Sequence, residues 1–176
     1  MFSGYLGVKS TATQVVIMQI KNFTTMIPTG ISFAASSLVG NCIGMNHVHR
    51  AQNYGQVSII FSVIITIIML AFFQVFSETL SRIFTDDAAI VYETQQSLWS
   101  LFIYIFFSTI KGVQNGIVRA LGEQKRNTLI TLIFAYGLGI PLAYVFCFPL
   151  EMGLPGMWFG ISIANGILVV AIDHII

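Results

Sequence analysis

Charged residues are scarce in this sequence. Only 9% of its 176 residues are Asp, Glu, Lys or Arg, whereas roughly a quarter of a typical soluble domain is charged. Because 56% of the residues are hydrophobic, the chain has too little polar surface to enclose a soluble core. The net charge of +1 gives no electrostatic basis for a nucleic-acid partner. The composition therefore favours a protein that lies in a lipid bilayer.

The sequence also lacks the motifs of common enzymes and metal sites. It contains no Walker loop and no GxSxG, HExxH or CxxC pattern. His47 and His49 form an HxH pair, but two ligands do not make a metal site. Cys42 and Cys147 both lie in apolar segments, so we interpret them as packing residues rather than a disulfide. The sequence therefore predicts no catalytic residues, no metal and no cofactor.

Long apolar segments are abundant instead. A bilayer core of about 30 Å requires about 20 mostly apolar residues in a helix, and lipid excludes open strands. The predicted spans are residues 12–45, 57–77, 95–118, 128–150 and 155–175. The first eight residues, MFSGYLGV, lack the features of a signal peptide and are interpreted as the end of a further helix. We therefore expect an all-α, polytopic transmembrane helix bundle, with residues 1–176 forming a single domain of about five full spans plus a partial N-terminal one.

Basic residues are distributed unevenly between the predicted connections. The first and third connections, residues 46–56 and 119–127, contain Arg50, Arg119, Lys125 and Arg126. The second connection, residues 77–94, and the fourth, a tight bend near residues 151–155, contain only Arg82. Since loops rich in Lys and Arg stay in the cytoplasm, we predict that the first and third connections are cytoplasmic.

Two of the spans carry a stripe of polar residues at helical spacing. The first stripe consists of Asn22, Thr25, Thr29, Ser32 and Ser36, and the second of Tyr104, Ser108, Lys111 and Asn115. Residues three or four apart share one face of a helix, and lipid offers a polar face no partner. We therefore expect both stripes to line a water-filled cavity. For Lys111, and more strongly for Lys21, a packing or snorkelling role is the alternative.

Gly and Pro residues interrupt two of the spans near their middles. Pro28 and Gly30 lie in the first span, and Gly139 and Pro141 lie in the fourth. Proline removes a backbone donor and permits a kink, so we predict helix bends at these positions. The alternative is that Gly and Pro are simply commoner in membrane helices.

Small residues also recur at the GxxxG spacing, which lets two helices approach closely. The pairs are Gly40 with Gly44, Gly112 with Gly116, and Gly156 with Gly160. We predict that these glycines are packing positions.

Two long segments are specific enough to resemble a known family. Residues 26–52 read MIPTGISFAASSLVGNCIGMNHVHRAQ, and residues 116–146 read GIVRALGEQKRNTLITLIFAYGLGIPLAYVF. Both are similar to the C-terminal half of the multidrug and toxic compound extrusion (MATE) family. Its eukaryotic members carry a P-x-G-x-S-x-A-A-S-x-x-V-G-N-x-x-G helix, a V-x-R-x-x-G-x-Q-K segment and a helix with Y-x-x-G-x-P.

The matching positions can be given residue by residue. The first motif corresponds to Pro28, Gly30, Ser32, Ala34, Ala35, Ser36, Val39, Gly40, Asn41 and Gly44. The second set corresponds to Arg119, Gly122, Gln124, Lys125, Tyr136, Gly139 and Pro141. In the resemblance, Arg119, Gly122, Gln124 and Lys125 form a motif in a cytoplasmic loop.

The resemblance implies a fold and a function. Family members have twelve helices in two six-helix lobes, and a central cavity exports organic compounds in exchange for protons or sodium ions. This chain would cover the end of helix seven and helices eight to twelve, which is half of such a transporter. The implied partners are the lipid bilayer, a small organic substrate, H⁺ or Na⁺ as coupling ion, and a second six-helix lobe needed for transport. The implied location is the plasma membrane or a vacuolar or vesicular membrane.

Two positions depart from the family pattern. Ser108 lies eleven residues before the motif Arg119, where many members have Asp or Glu. Lys111 stands where neutral residues are common. Both changes weaken a pocket for cations, so we expect Lys111 to shift any substrate preference away from cations.

Two other functions are open alternatives. One is a truncated membrane protein that does not transport, or a half-transporter that binds a full-length relative. The other is a lipid-linked sugar flippase of the same superfamily, whose cavity would be lined by basic residues. Lys21 and Lys111 fit a flippase loosely, whereas the V-x-R-x-x-G-x-Q-K pattern argues against it.

Overall fold

The structure is a computed structural model that describes residues 8–85 and 87–174, and its regular secondary structure in these ranges is entirely helical. In chain order the helices are α1 (Val8–Gly44), α2 (Val48–Val75), α3 (Ser77–Phe84), α4 (Ala88–Ala120), α5 (Gln124–Cys147) and α6 (Gly153–Asp173). Five of them, all except α3, are long and apolar enough to cross a membrane. The predicted all-α transmembrane bundle is thus confirmed. The partial helix expected over the first eight residues lies, apart from Val8, outside the described residues.

Two helices begin well before the apolar spans predicted from the sequence. α2 begins at Val48 rather than at residue 57, and α4 begins at Ala88 rather than at residue 95. Hydropathy marks only the part of a helix that lipid surrounds. The backbone of the flanking polar residues can continue the same hydrogen-bond ladder into water. The first and third connections are therefore short and comprise only residues 45–47 and 121–123.

The second connection, predicted as a loop over residues 77–94, contains a helix instead. α3 is a short amphipathic helix in which Arg82 Nη2 lies 2.9 Å from Glu78 Oε1, one turn away. Such a pair stabilises an exposed helix by about 0.3–0.5 kcal/mol. α4 then begins behind Asp87, whose Oδ1 accepts a hydrogen bond from Ala89 N at 2.8 Å, as expected of an Asp at the N-cap. Because these residues are polar, hydropathy predicted neither α3 nor the first part of α4.

α4 lies at the centre of the bundle and packs against α1, α6 and α2. The main core cluster has members on α1, α2, α4, α5 and α6 and includes Ile17, Ile20, Leu101, Ile105, Leu154 and Trp158, all buried. In the apolar windows of α4 and α6, 44% and 50% of the residues are buried, against 17% in α2 and 11% in α5. α2 and α5 therefore present mostly apolar side chains outward, as expected of helices that contact lipid.

α1 continues as a helix through Pro28. Because proline has no N–H, the carbonyl of Thr24 loses its usual helical donor. The neighbouring threonines bond within their own helix: Thr24 Oγ1 donates to Ile20 O at 2.8 Å, and Thr29 Oγ1 donates to Thr25 O at 2.7 Å. Since Val8–Gly44 is a single α-helix, Pro28 does not divide α1, and a bend at this position stays a prediction.

α5 changes its helical form where the sequence predicts a bend. Residues Ala135–Gly139 form a π turn between two α-helical segments, Gln124–Phe134 and Ile140–Cys147. Ile140 N donates to Ala135 O, five residues earlier, so this turn holds one residue more than an α-helical turn. Pro141 follows at the start of the second segment, where its missing N–H is tolerated.

Glycines permit three close contacts between helices. A Cβ atom at Gly116 would overlap the carbonyl oxygen of Ser32 on α1. A Cβ atom at Gly156 or Gly160 on α6 would overlap the backbone of α5. In a membrane, close backbone approach replaces the hydrophobic effect as a source of packing energy. These three glycines therefore hold α1 against α4 and α5 against α6.

The other glycines predicted to pack have more space. A Cβ atom at Gly40 would make an ordinary contact with Ala120 Cβ at 3.8 Å. Gly30, Gly44 and Gly112 have no such neighbour within 4 Å among the described residues. The packing contact predicted at Gly44 is therefore not found among the described residues, and Gly44 is exposed at the end of α1.

We expect Gly116→Ala to destabilise the bundle and Gly112→Ala, one turn earlier on the same helix, to be tolerated. The methyl group at position 116 would force α1 and α4 apart at a cost of about 1–3 kcal/mol. At position 112 there is open space, and alanine favours the helix over glycine. Thermal unfolding in detergent, followed by circular dichroism, measures both variants. Equal unfolding midpoints for the two would contradict the close contact between α1 and α4.

Candidate functional site

A groove of about 330 Å³ lies between α1 and α4. We call it the α1–α4 groove. Its lining residues are Lys21, Thr25, Pro28, Thr29, Ser32, Phe33, Tyr104, Ser108, Thr109, Lys111, Gly112, Asn115 and Arg119. It contains three residues of the first predicted polar stripe and all four of the second. Asn22 and Ser36 of the first stripe do not line it.

The two stripes meet at Ser32. Its hydroxyl donates a hydrogen bond to the carbonyl of Gly112 at 2.6 Å, and the side chain is almost fully buried. Gly116, on the next turn of α4, gives Ser32 the space for this contact. Ser32 is therefore a packing residue as well as part of the groove wall.

The threonines of α1 line the groove but keep their protons within the helix. Thr25 Oγ1 donates to Lys21 O at 2.9 Å, and Thr29 Oγ1 donates to Thr25 O at 2.7 Å. A hydroxyl has two acceptor lone pairs beside its one proton. These threonines consequently offer hydrogen-bond acceptors to a molecule in the groove.

Lys111 lies inside the bundle, on α4, and is partly buried. Its Nζ donates to Asn165 Oδ1 on α6 at 2.7 Å. Asn165 is only 6% exposed and was not singled out from the sequence. A lone amide in the otherwise apolar last span was the signal that could have identified it, since polar residues at membrane depth commonly mark functional positions.

Lys111 also reaches a second cavity. This α4–α6 pocket has a volume of about 260 Å³ and lies between α4, α6 and the π turn of α5. Its wall is mainly apolar, and it shares Tyr104 and Lys111 with the α1–α4 groove. Lys111 and Tyr104 therefore separate two cavities of different polarity.

Tyr104 is held by aromatic packing. Its ring meets the ring of Trp158 edge-on, with centroids 4.9 Å apart. Trp158 Nε1 donates in turn to Gln14 Oε1 at 3.1 Å. This chain of contacts links α4, α6 and α1 and fixes the orientation of Tyr104 in the groove wall.

The predicted loop motif forms the end of α4 and the start of α5. Gly122 has a φ of 78°, a left-handed conformation that glycine adopts readily and that commonly ends a helix. Arg119 extends its guanidinium over the ring of Phe33, 5.3 Å from the centroid. Gln124 and Lys125 are exposed in the first turn of α5. The motif thus combines a helix stop at Gly122 with a cation at the end of the groove.

A further contact joins this end of the groove to α5. Asn127 Nδ2 donates to Asn115 Oδ1 at 2.8 Å. Asn115 therefore lines the groove while its side chain is already engaged by the next helix.

Acidic residues are absent from the walls of both cavities, as far as the described residues define them. Glu93, in the first turns of α4, packs elsewhere and accepts hydrogen bonds from Ser10 Oγ at 2.7 Å and Thr13 Oγ1 at 3.1 Å. Within the described ranges, no group of three His, Cys, Asp or Glu residues could hold a metal ion. Cys42 and Cys147 are free and buried.

We expect the side chains of Lys111 and Asn165 to be energetically coupled. Asn165→Leu would leave the Lys111 ammonium without its described partner, at a cost of about 1–3 kcal/mol. Lys111→Met should be less destabilising in the Asn165→Leu background than in the wild type, because no buried donor is then left unpaired. Unfolding midpoints of the wild type, both single variants and the double variant measure the coupling. Additive effects would rule out the contact.

The chain is similar to known proteins over most of its length. Residues 1–145 match the family model MatE. Multidrug and toxin extrusion protein 1 of Danio rerio is 27% identical over 90% of this chain and 27% of its own length. A probable multidrug resistance protein NorM of Pseudomonas putida is 30% identical over 96% of this chain and 38% of its own length. The chain thus spans about a third of the length of these curated relatives.

Solved structures show the same fold. The eukaryotic MATE transporter AtDTX14 superposes with a TM-score of 0.86 at 21% identity, over 93% of this chain and 37% of that chain. A MOP superfamily transporter from Pyrococcus furiosus gives a TM-score of 0.87 at 20% identity, over 96% of this chain and 38% of that chain. The Pyrococcus furiosus structure is described with the words "reverse polarity of binding pocket suggests different function".

Proposed function

Because this chain belongs to the MatE family, we propose that it forms one lobe of a secondary antiporter that exports organic compounds in exchange for protons or sodium ions. The family model matches residues 1–145, and the helices superpose on parts of solved family transporters. The motifs around Pro28 and Arg119 favour the C-terminal lobe. Since the chain spans about a third of the curated relatives' length, transport would require a second six-helix lobe.

The observation that carries this proposal is the polarity of the α1–α4 groove. Seven of the nine predicted cavity residues line one groove, although those on α1 are at least 72 positions away in sequence from those on α4. Lipid could not satisfy these side chains. A water-filled cavity closed by a second lobe would satisfy them, and substrate sites between two lobes are the usual arrangement in secondary transporters.

The two lobes would alternate access by tilting against each other around this groove. α4 is the central helix of the present lobe and carries six of the groove's polar or charged residues, so a substrate bound there would move with the lobe as a unit. The close contacts at Gly116 and Gly160 keep α1, α4, α5 and α6 together during such a motion.

Ion coupling requires a group that binds the proton or sodium ion. The groove has no acidic lining residue among those described, and Ser108 occupies the position where many family members place an acid. We therefore propose that the second lobe supplies the coupling carboxylate.

The test is efflux from vesicles that contain this chain together with the amino-terminal lobe of a full-length relative. An imposed proton gradient should drive efflux of a fluorescent substrate from vesicles with both lobes and not from vesicles with this chain alone. Thr29→Trp, which fills the groove, should reduce the rate at least about tenfold, the scale on which a lost positioning contact acts. Ile133→Trp adds the same bulk at an exposed position of α5 and is the matched control.

Two results would argue against the proposal. One is efflux that is equally fast with Thr29→Trp and with Ile133→Trp, which would remove the groove from the substrate pathway. The other is a complete lack of efflux when both lobes are present and correctly inserted, which would favour a protein that binds a partner without transporting.

A further inference from the structure

The α1–α4 groove carries charge of one sign. Lys21, Lys111 and Arg119 line it, and among the residues that the structure describes no acidic side chain lines it. Charges at membrane depth are commonly paired with a charge of the opposite sign. The groove therefore holds three cationic side chains that no lining carboxylate neutralises.

Lys111 is the most enclosed of the three. Its partner is the neutral amide of Asn165, which accepts one of its three ammonium protons at 2.7 Å. A dipole offsets part of the cost of removing an ammonium group from water but does not neutralise its charge. An anion placed against Lys111 would neutralise the ammonium charge, and the attraction between the two charges is stronger inside the bundle than in water.

Lys21 and Arg119 extend the positive charge along the groove. α1 and α4 run in the same direction, and Ser32 contacts Gly112. Lys21 precedes Ser32 by eleven positions, about 16 Å, and Arg119 follows Gly112 by seven positions, about 10 Å. The Lys21 side chain makes no hydrogen bond or ion pair within the described residues, and Arg119 is stacked on Phe33. Lys21 therefore lies on the α1 wall of the groove, Lys111 and Arg119 lie on the α4 wall, and the three cations follow one another along the groove axis.

Polar and aromatic groups lie between these charges. The hydroxyl of Ser108 can donate a hydrogen bond to a ligand, and the rings of Tyr104 and Phe33 offer flat apolar contact. A molecule that used all of these features would have acidic groups separated by an apolar framework.

We propose that the α1–α4 groove binds a water-soluble organic dianion. One acidic group contacts Lys111 and the second contacts Arg119, which lies eight positions further along α4, about 12 Å. This inference rests on the proposed function of the groove as the substrate cavity, and it specifies the class of substrate. Carboxylate and phosphate groups are the natural partners of such Lys and Arg side chains.

The test compares two probes of one skeleton on the purified chain. Biphenyl-4,4′-dicarboxylate carries two negative charges, and 4,4′-bis(aminomethyl)biphenyl carries two positive charges. Calorimetric titration in nanodiscs of phosphatidylcholine should show binding of the dicarboxylate and no binding of the diamine. Stronger binding of the diamine would overturn the anion preference while leaving the groove as a substrate cavity.

Single charge removals locate the site. Lys111→Gln and Arg119→Gln should each weaken dicarboxylate binding about tenfold or more, as expected when one charge-assisted contact is lost. Arg119 is exposed, so its variant tests the proposal even if Lys111→Gln perturbs folding. Arg50→Gln removes the same charge from an exposed position outside the groove and should leave affinity unchanged. Equal affinities for all three variants would overturn the proposal.

Two further outcomes separate the possible causes. If one fifth of the lipid is replaced by phosphatidylglycerol and dicarboxylate binding disappears, the groove binds an anionic headgroup and the assignment to a soluble anion is wrong. If the folded chain binds neither probe, both the anion preference and the groove's role as a cavity fail. Efflux with both lobes present, measured as described above, would then show whether the transport function survives by another route.

Discussion

The hydrocarbon core of a bilayer cannot form hydrogen bonds, and this constraint governs where the polar side chains of the bundle lie. Ser32 donates to the backbone of α4, and Gln114 Nε2 donates to Val169 O on α6 at 3.1 Å. Trp158 Nε1 donates a hydrogen bond to Gln14 Oε1 across the core. Each of these groups would be costly if it faced hydrocarbon chains. As a result, polar contacts concentrate around α4, and the outward faces of α2 and α5 are left to apolar side chains.

The same constraint explains what could be predicted from the sequence. The spacing of Thr25, Thr29 and Ser32, and of Ser108, Lys111 and Asn115, fixes which residues share a helix face. Since a polar face must avoid lipid, the cavity followed from periodicity, and the family and fold followed from the two motifs. Hydropathy could not reveal α3 or the polar extensions of α2 and α4, because helices outside the hydrocarbon need no apolar residues.

Which residues of different helices contact each other could not be predicted from the sequence. Periodicity shows that Lys111 lies on the polar face of α4, but it does not show that Asn165 of α6 lies beside it. Gly112 and Gly116 look alike as a GxxxG pair, yet only Gly116 meets the backbone of another helix. These contacts depend on how α4 is rotated against its neighbours, and three-dimensional packing alone determines that rotation.

The π turn of α5 divides that helix into halves of different character. The segment Ile140–Cys147 lies against Gly156 and Gly160 of α6, whereas the segment Gln124–Phe134 has no buried residue. One additional residue in a turn rotates all following side chains by about 100° relative to an unbroken α-helix. The face of α5 that contacts lipid is therefore displaced by one residue position after Gly139. A single helical wheel drawn for the whole of α5 would misplace the side chains of the second segment by about 100°. A deletion of one residue between Ala135 and Gly139 would restore a continuous wheel and at the same time turn the anchored half away from α6.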